Sequence, residues 1–189
     1  METMQRGFRS KLDSYIDVTS DFDVELSLSG QSEYDYCCFG IDAADKLSDD
    51  RYMVFYNQMN TPNNEIVLLQ NQNPACYKIN VNRLPSTISR LVFTASIDGH
   101  GTMSMINSCS LLLKQNGNTA LRLNLTGSDF QQEKAIIVIE NLTFGFMEQL
   151  QGECLLLQWT TIKVPYQQTI GSSCVRSVAQ TMSQTSWEK

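Results

Sequence analysis

The chain has one histidine, His100, no run of lysine or arginine, no Cys-x-x-Cys pair and no apolar stretch near the ~20 residues that a membrane span requires. Each absence excludes a class of chemistry. A Ser–His–Asp or Cys–His catalyst would have to use His100, which lies between Gly99 and Gly101 in what reads as an exposed turn, and no Gly-x-Ser-x-Gly elbow occurs. Zinc catalysis takes about three protein ligands, usually with histidine among them, so it too is unexpected. No Gly-Lys-Ser/Thr loop is present to cradle a phosphate. The reading is of a protein that is not an enzyme.

Positive charge is also in short supply. The formal net charge is −6, which repels phosphate backbones and argues against nucleic acid as a partner. Residues 1–17 carry charges throughout and contain no apolar core of a secretory signal, so the expected location is cytoplasmic. In that setting the six cysteines (Cys37, Cys38, Cys76, Cys109, Cys154 and Cys174) read as reduced, mostly buried thiols rather than a disulfide framework. Cys37 and Cys38 are neighbours, and in a strand they point to opposite faces.

What is present is a series of short strands. At 189 residues, 42% hydrophobic and 18% charged, the chain suits one globular domain with a core of its own. Residues 23–29 alternate, with Val24, Leu26 and Leu28 on one face, the period of a half-buried strand. Further strands are expected over 34–41, 52–56, 65–69, 77–81, 90–97, 109–114, 119–125 and 134–140. Residues 82–89, which contain Pro85, read as one short helical turn. The polar cluster at 70–74 ends in Pro74 and reads as a turn, and Asn116-Gly117 between two apolar runs is a strong hairpin signal. About nine strands at such spacing predict an all-β fold, an antiparallel β-sandwich.

The expected organisation is an N-terminal extension over 1–20, the sandwich over 21–149 and a divergent segment over 150–189. That last segment carries Lys163, Arg176 and Lys189 against Glu153 and Glu188, a local charge of +1 against −7 for the remainder. From residue 167 onward serine, threonine and glutamine dominate, a composition that predicts disorder.

Three stretches carry a resemblance. Residues 47–58 read Leu-Ser-Asp-Asp-Arg-Tyr-Met-Val-Phe-Tyr-Asn-Gln, residues 91–99 read Leu-Val-Phe-Thr-Ala-Ser-Ile-Asp-Gly, and Gly127-Ser128-Asp129-Phe130 is followed by Glu133-Lys134-Ala135. In order and spacing they resemble the TerD family of tellurite-resistance and stress-response proteins. The version at 34–40, Tyr-Asp-Tyr-Cys-Cys-Phe-Gly, is more similar to TerA-like or TerF-like members. The resemblance implies a β-sandwich of the cell interior that acts in stress response. It implies calcium, held in some relatives by acidic loops at one end of the sandwich, and partners of the von Willebrand A type or of the same family.

The chain departs from that pattern twice. Where many relatives carry an acidic Gly-Asp-Asp loop, residues 70–75 hold no carboxylate. After about residue 141 the motif is lost as the composition shifts, which suggests a frameshift or truncation. For a calcium ion, which takes six to eight oxygens, the candidate ligands are Asp35, Asp42, Asp49, Asp50, Asn57 and Asp98, at spacings unlike those of an EF-hand. The alternative is a solvated acidic loop with no ion. The functional expectation is a non-enzymatic stress-response binding module, calcium-responsive or scaffold-like. The alternatives are a thiol-based metalloid-handling protein and a hydrolase that uses paired carboxylates.

Overall fold

The structure is a computed structural model, and it describes residues 1–5, 8–132, 134–143 and 155–156. Its strands are β1 (Glu2–Met4), β2 (Arg9–Ser10), β3 (Phe22–Ser29), β4 (Glu33–Ile41), β5 (Met53–Val54), β6 (Ile66–Asn71), β7 (Ala75–Ile79), β8 (Arg90–Asp98), β9 (Ser108–Gln115), β10 (Asn118–Leu125), β11 (Ala135–Thr143) and β12 (Leu155–Leu156). Among the described residues they form two six-stranded sheets, ordered β1-β10-β9-β3-β7-β6 and β2-β12-β11-β8-β4-β5. All neighbours are antiparallel except β1 and β10.

The alternation read from residues 23–29 has its cause here. Phe22, Val24, Leu26 and Leu28 face the second sheet and are buried, while Asp23, Glu25, Ser27 and Ser29 stay half-exposed on the outer face. Opposite them stand Tyr36, Cys38, Leu91, Phe93, Ala95 and Ile97 of β4 and β8. Tyr77 and Phe93 meet across the interface edge to face, ring centroids 5.4 Å apart, the arrangement that aromatic quadrupoles favour. This is a β-sandwich. Cys37 and Cys38 do part company across the sheet: Cys38 joins the main core, and Cys37 joins a second cluster with Phe39, Ile41, Val92 and Ala135.

Three expectations are corrected. Residues 1–20, read as an extension, supply β1, which pairs with β10, and β2, which pairs with β12. The strand expected over 52–56 shrinks to Met53–Val54. Asp50–Tyr52 form a 3-10 turn whose preceding residue, Asp49, accepts a hydrogen bond from the Arg51 N–H, and Phe55 already turns back to bond with Gln58. The helical turn expected over 82–89 is a 3-10 turn at Val81–Arg83. The hairpin at Asn116-Gly117 is present, with Asn116 at φ +52°. The pattern change expected after about residue 141 falls mostly on residues outside the described set. The disorder expected from residue 167, and the thiols of Cys154 and Cys174, lie wholly outside it.

Candidate functional site

β4 decides what the candidate ligands can do together. Asp35 lies near its start and Asp42 just past its end, seven residues or about 23 Å along an extended strand. Asp98 stands at the Asp35 end, since Glu33 and Asp98 are paired across β4 and β8. Asp42, Asp49 and Asp50 stand at the far end. Asn57 is exposed in the turn between Phe55 and Gln58. The six residues are therefore not gathered round one point. Among the described residues no three or more His, Cys, Asp or Glu side chains are arranged to hold a metal ion.

At the far end the carboxylates of Asp42 and Asp49 serve their own loop. Asp42 accepts from Ala44 N–H at 2.8 Å, from Lys46 N–H at 3.0 Å and from the Ser48 hydroxyl. The Ser48 bond above all holds its carboxyl below the usual range. Asp49 takes the Arg51 guanidinium at 2.7 Å as well as the Arg51 N–H, and the guanidinium bond is the main reason its carboxyl is lowered. Gln58 donates its amide to the backbone carbonyls of Asp50 and Met53, at 2.9 and 2.7 Å.

Beneath this loop lies a carboxylate that the sequence reading passed over as the first residue of a strand. Glu65 is completely buried. Its Oε1 accepts from the Tyr52 hydroxyl and the Asn63 amide, both at 3.0 Å; its Oε2 accepts from the Thr61 hydroxyl at 2.5 Å and the Asn63 N–H at 3.0 Å. Burial pushes the carboxyl up, but the bonds from Thr61, its own backbone and Asn63 outweigh that and bring it down to about 2. Tyr52 is driven the other way, to about 12, by burial and by that same carboxylate. The available signal was an isolated acid directly before an apolar strand, four residues after a threonine.

The opposite end has a different chemistry. β7 stops pairing with β3 at Leu26 and Ala75, so the β7-side backbone of Leu28 has no strand to bond. Side chains take the strand's place. Asn73 donates its amide to the Leu28 carbonyl at 2.6 Å, and the Tyr36 hydroxyl accepts the Leu28 N–H at 3.0 Å. The Asn73 carbonyl oxygen accepts from Ser27 at 2.7 Å and from Tyr36 at 3.4 Å. Burial raises the Tyr36 hydroxyl to about 12, so it stays protonated.

Over this floor opens a cleft of about 370 Å³, edged by Tyr34, Glu33, Gly30, Asn71 and Gln72. Gly30 packs close against the end of the Tyr34 side chain, whose hydroxyl a Cβ there would meet. Ser32 donates to the His100 carbonyl at 2.9 Å and ties the β3–β4 hairpin to the next turn. His100 itself is exposed, as its flanking glycines suggested. Beside the cleft, burial raises the Asp35 carboxyl, and Asp98 and Glu33 push the same way.

Cys37, Cys38 and Cys109 are buried free thiols and Cys76 is a half-buried one. Burial raises the pKa of all four, that of Cys109 to about 12. A thiol so shifted holds little thiolate and is a poor nucleophile. No helix among the described residues is long and apolar enough to cross a membrane.

A family model described as the TerD domain matches residues 2–142. Among solved structures, a protein of unknown function, SAV2460, superposes with a TM-score of 0.60 at 12% identity, covering 86% of this chain and 98% of that one. A homologue of telluride resistance protein (TerD), SCO6318 from Streptomyces coelicolor A3(2), superposes with a TM-score of 0.50 at 15% identity, covering 68% of this chain and 90% of that one. At such identities the two structures speak for the fold. No curated protein matches the sequence.

Proposed function

Since the chain belongs to the TerD domain family, we propose that it is a non-enzymatic binding module of the stress response that works in the cytoplasm and holds a partner at the β3–β4 end of the sandwich. One observation carries this reading: the cleft over Asn73 and Tyr36 has a floor pinned by hydrogen bonds and a rim on which, among the described residues, the Asn71 and Gln72 side chains make no hydrogen bond. A rigid frame presenting such a rim suits recognition. The other candidate chemistries have less to work with. Asp42 and Asp49 are engaged in turns, His100 stands apart, and the four described thiols are shifted away from reactivity. The Tyr34–Gly40 motif favours the TerA-like or TerF-like subgroup, and partners of the von Willebrand A type or of the same family are the first to try. The test is affinity purification of the tagged full chain from stressed cells, beside a hydrolase substrate screen. A stoichiometric partner and no turnover are expected; turnover, or the lack of any partner, overturns the reading.

Calcium is a second reading, favoured by the mutual repulsion at Glu33, Asp35 and Asp98, which a cation would relieve. Calorimetry separates the two ends of β4: heat lost in Asp35→Asn points to the cleft end, heat lost in Asp50→Asn to the far loop, and no heat in the unaltered chain rejects calcium. Thiol-based metalloid handling would appear as consumption of free thiols by tellurite, and constant thiol content rejects it.

A further inference from the structure

We infer that the cleft between Tyr34 and residues 71–73 is a peptide-recognition site that takes a short extended segment of a partner protein, neutral to basic in charge. The inference rests on the binding-module reading and names the partner's chemistry at the same place.

The residues of the cleft are the first support. Tyrosine, serine, glycine and asparagine make up most of its wall. This set favours protein contact for a physical reason: tyrosine offers a broad, stiff, amphipathic face with little entropy to lose, and the small polar residues adapt their hydrogen bonds to the partner. The distribution of hydrogen bonds is the second. Asn73 and Tyr36 are committed to Leu28 and cannot be recruited without loosening the hairpin. Asn71 and Gln72 are exposed, and among the described residues their side-chain amides make no hydrogen bond. Each amide offers donors and an acceptor, the complement of a peptide group.

The mode of binding follows from the floor. An extended peptide often adds to the free edge of a sheet. Here the β7-side edge of β3 at Leu28 is already filled by side chains, so the cleft reads its partner through side-chain contacts. Charge sets the rest. Among the described residues the lining contains no lysine or arginine and one charged residue, Glu33, and Asp98 and Asp35 stand beside it on a chain of net charge −6. An acidic or phosphorylated segment is repelled, and a lysine or arginine on the partner gains from the glutamate and from the tyrosine ring.

The experiment is selection from a random peptide library displayed on phage, panned on the full chain. Peptides rich in lysine or arginine are expected, with binding that weakens as salt rises. Affinity should fall about tenfold or more in the Tyr34→Ala/Gln72→Ala double variant, the size of a central contact. Gln72→Ala alone, at an exposed position that leaves the fold intact, should already weaken binding measurably. The inference is overturned if no peptide is enriched, if the enriched peptides are acidic, or if they bind the double variant as well as the parent chain. A partner purified from cells that binds both variants unchanged also overturns it, and leaves the binding-module reading standing.

Discussion

Glu65→Ala should be the most damaging single change in the loop over residues 57–65. The substitution removes the acceptor for four donors at once. Asn63 is exposed, so water can take its N–H and amide. Tyr52 is buried and has no such recourse, whereas the buried Thr61 hydroxyl keeps the Ile66 carbonyl at 3.4 Å. A buried donor left unpaired costs ~1–3 kcal/mol, and the long Thr61 bond recovers only part of a second, so the loss is roughly 2–4 kcal/mol. Glu65→Gln should be far milder. With its oxygen at the Oε1 position it keeps the Tyr52 hydroxyl and the Asn63 amide as donors; the Thr61 hydroxyl can turn to the Ile66 carbonyl and accept from the new NH₂, and the exposed Asn63 N–H is left to water. The loss is then the charge assistance, about 1–2 kcal/mol. Urea unfolding at pH 7 measures both.

Acid supplies an independent check on the same group. A carboxyl lowered from 4.5 to about 2 contributes stability that is complete above pH 4.5 and is lost as pH falls towards 2. The full gap corresponds to ~3 kcal/mol, and the solvated rim of the loop screens it to ~1–2 kcal/mol. Glu65→Gln should flatten that part of the pH profile. If Glu65→Ala unfolds within 1 kcal/mol of the parent chain, or if the glutamine variant keeps the parent's acid sensitivity, the reasoning fails.

Three further outcomes are expected. Tyr77 is wholly buried and its hydroxyl has no hydrogen-bond partner among the described residues, so Tyr77→Phe should be neutral or stabilising by up to about 1 kcal/mol in thermal unfolding; a loss of more than about 1 kcal/mol would refute that reading of the hydroxyl. Gly127→Ala would press a Cβ against the Ser104 carbonyl oxygen and put it 2.7 Å from that of Ile106, backbone that cannot step aside, and should cost roughly 2–3 kcal/mol; Gly30→Ala meets the movable end of the Tyr34 side chain, with the nearest backbone atom, the Ile106 Cα, at 3.3 Å, and should cost about 1 kcal/mol while displacing that ring, seen as a shift of the Tyr34 resonances. Equal costs for the two would refute the distinction. Against a thiol reagent at pH 8, Cys37, Cys38 and Cys109 should stay unmodified in the folded chain while Cys76 reacts slowly, and mass spectrometry of the labelled peptides would expose any other order.

Period-two patterning made the sandwich legible, because residues such as Val24, Leu26 and Leu28 have water on one side of their strand and core on the other. The same signal is silent for β8, buried without interruption from Leu91 to Ile97, and there the run of apolar and small residues was the cue. Positions of the site were harder. An aspartate has the same letter whether it binds an ion or caps a turn, and Asp42 and Asp49 are occupied by turns. The motif residues read as recognition marks have local structural causes: Asp49 caps, Gln58 clamps two carbonyls, and Asp129 accepts the Thr126 N–H at 2.7 Å. That Asp35 and Asp42 stand at opposite ends was implicit in the strand between them. The cleft was not visible at all, because it joins residues 28–36 to residues 71–73 through the pairing of β3 with β7, which no local pattern reveals.

The rung that Asn73 and Tyr36 supply to Leu28 separates two duties within one turn. A loop that both completes a sheet and meets a partner usually cannot change its lettering without disturbing its shape. Here the Asn73 side chain braces the frame, while the side chains of Asn71 and Gln72 make no hydrogen bond to it among the described residues. Positions 71 and 72 are thus open to substitution at small cost to folding, and new specificities can be tried on an unchanged scaffold for as long as the asparagine stays.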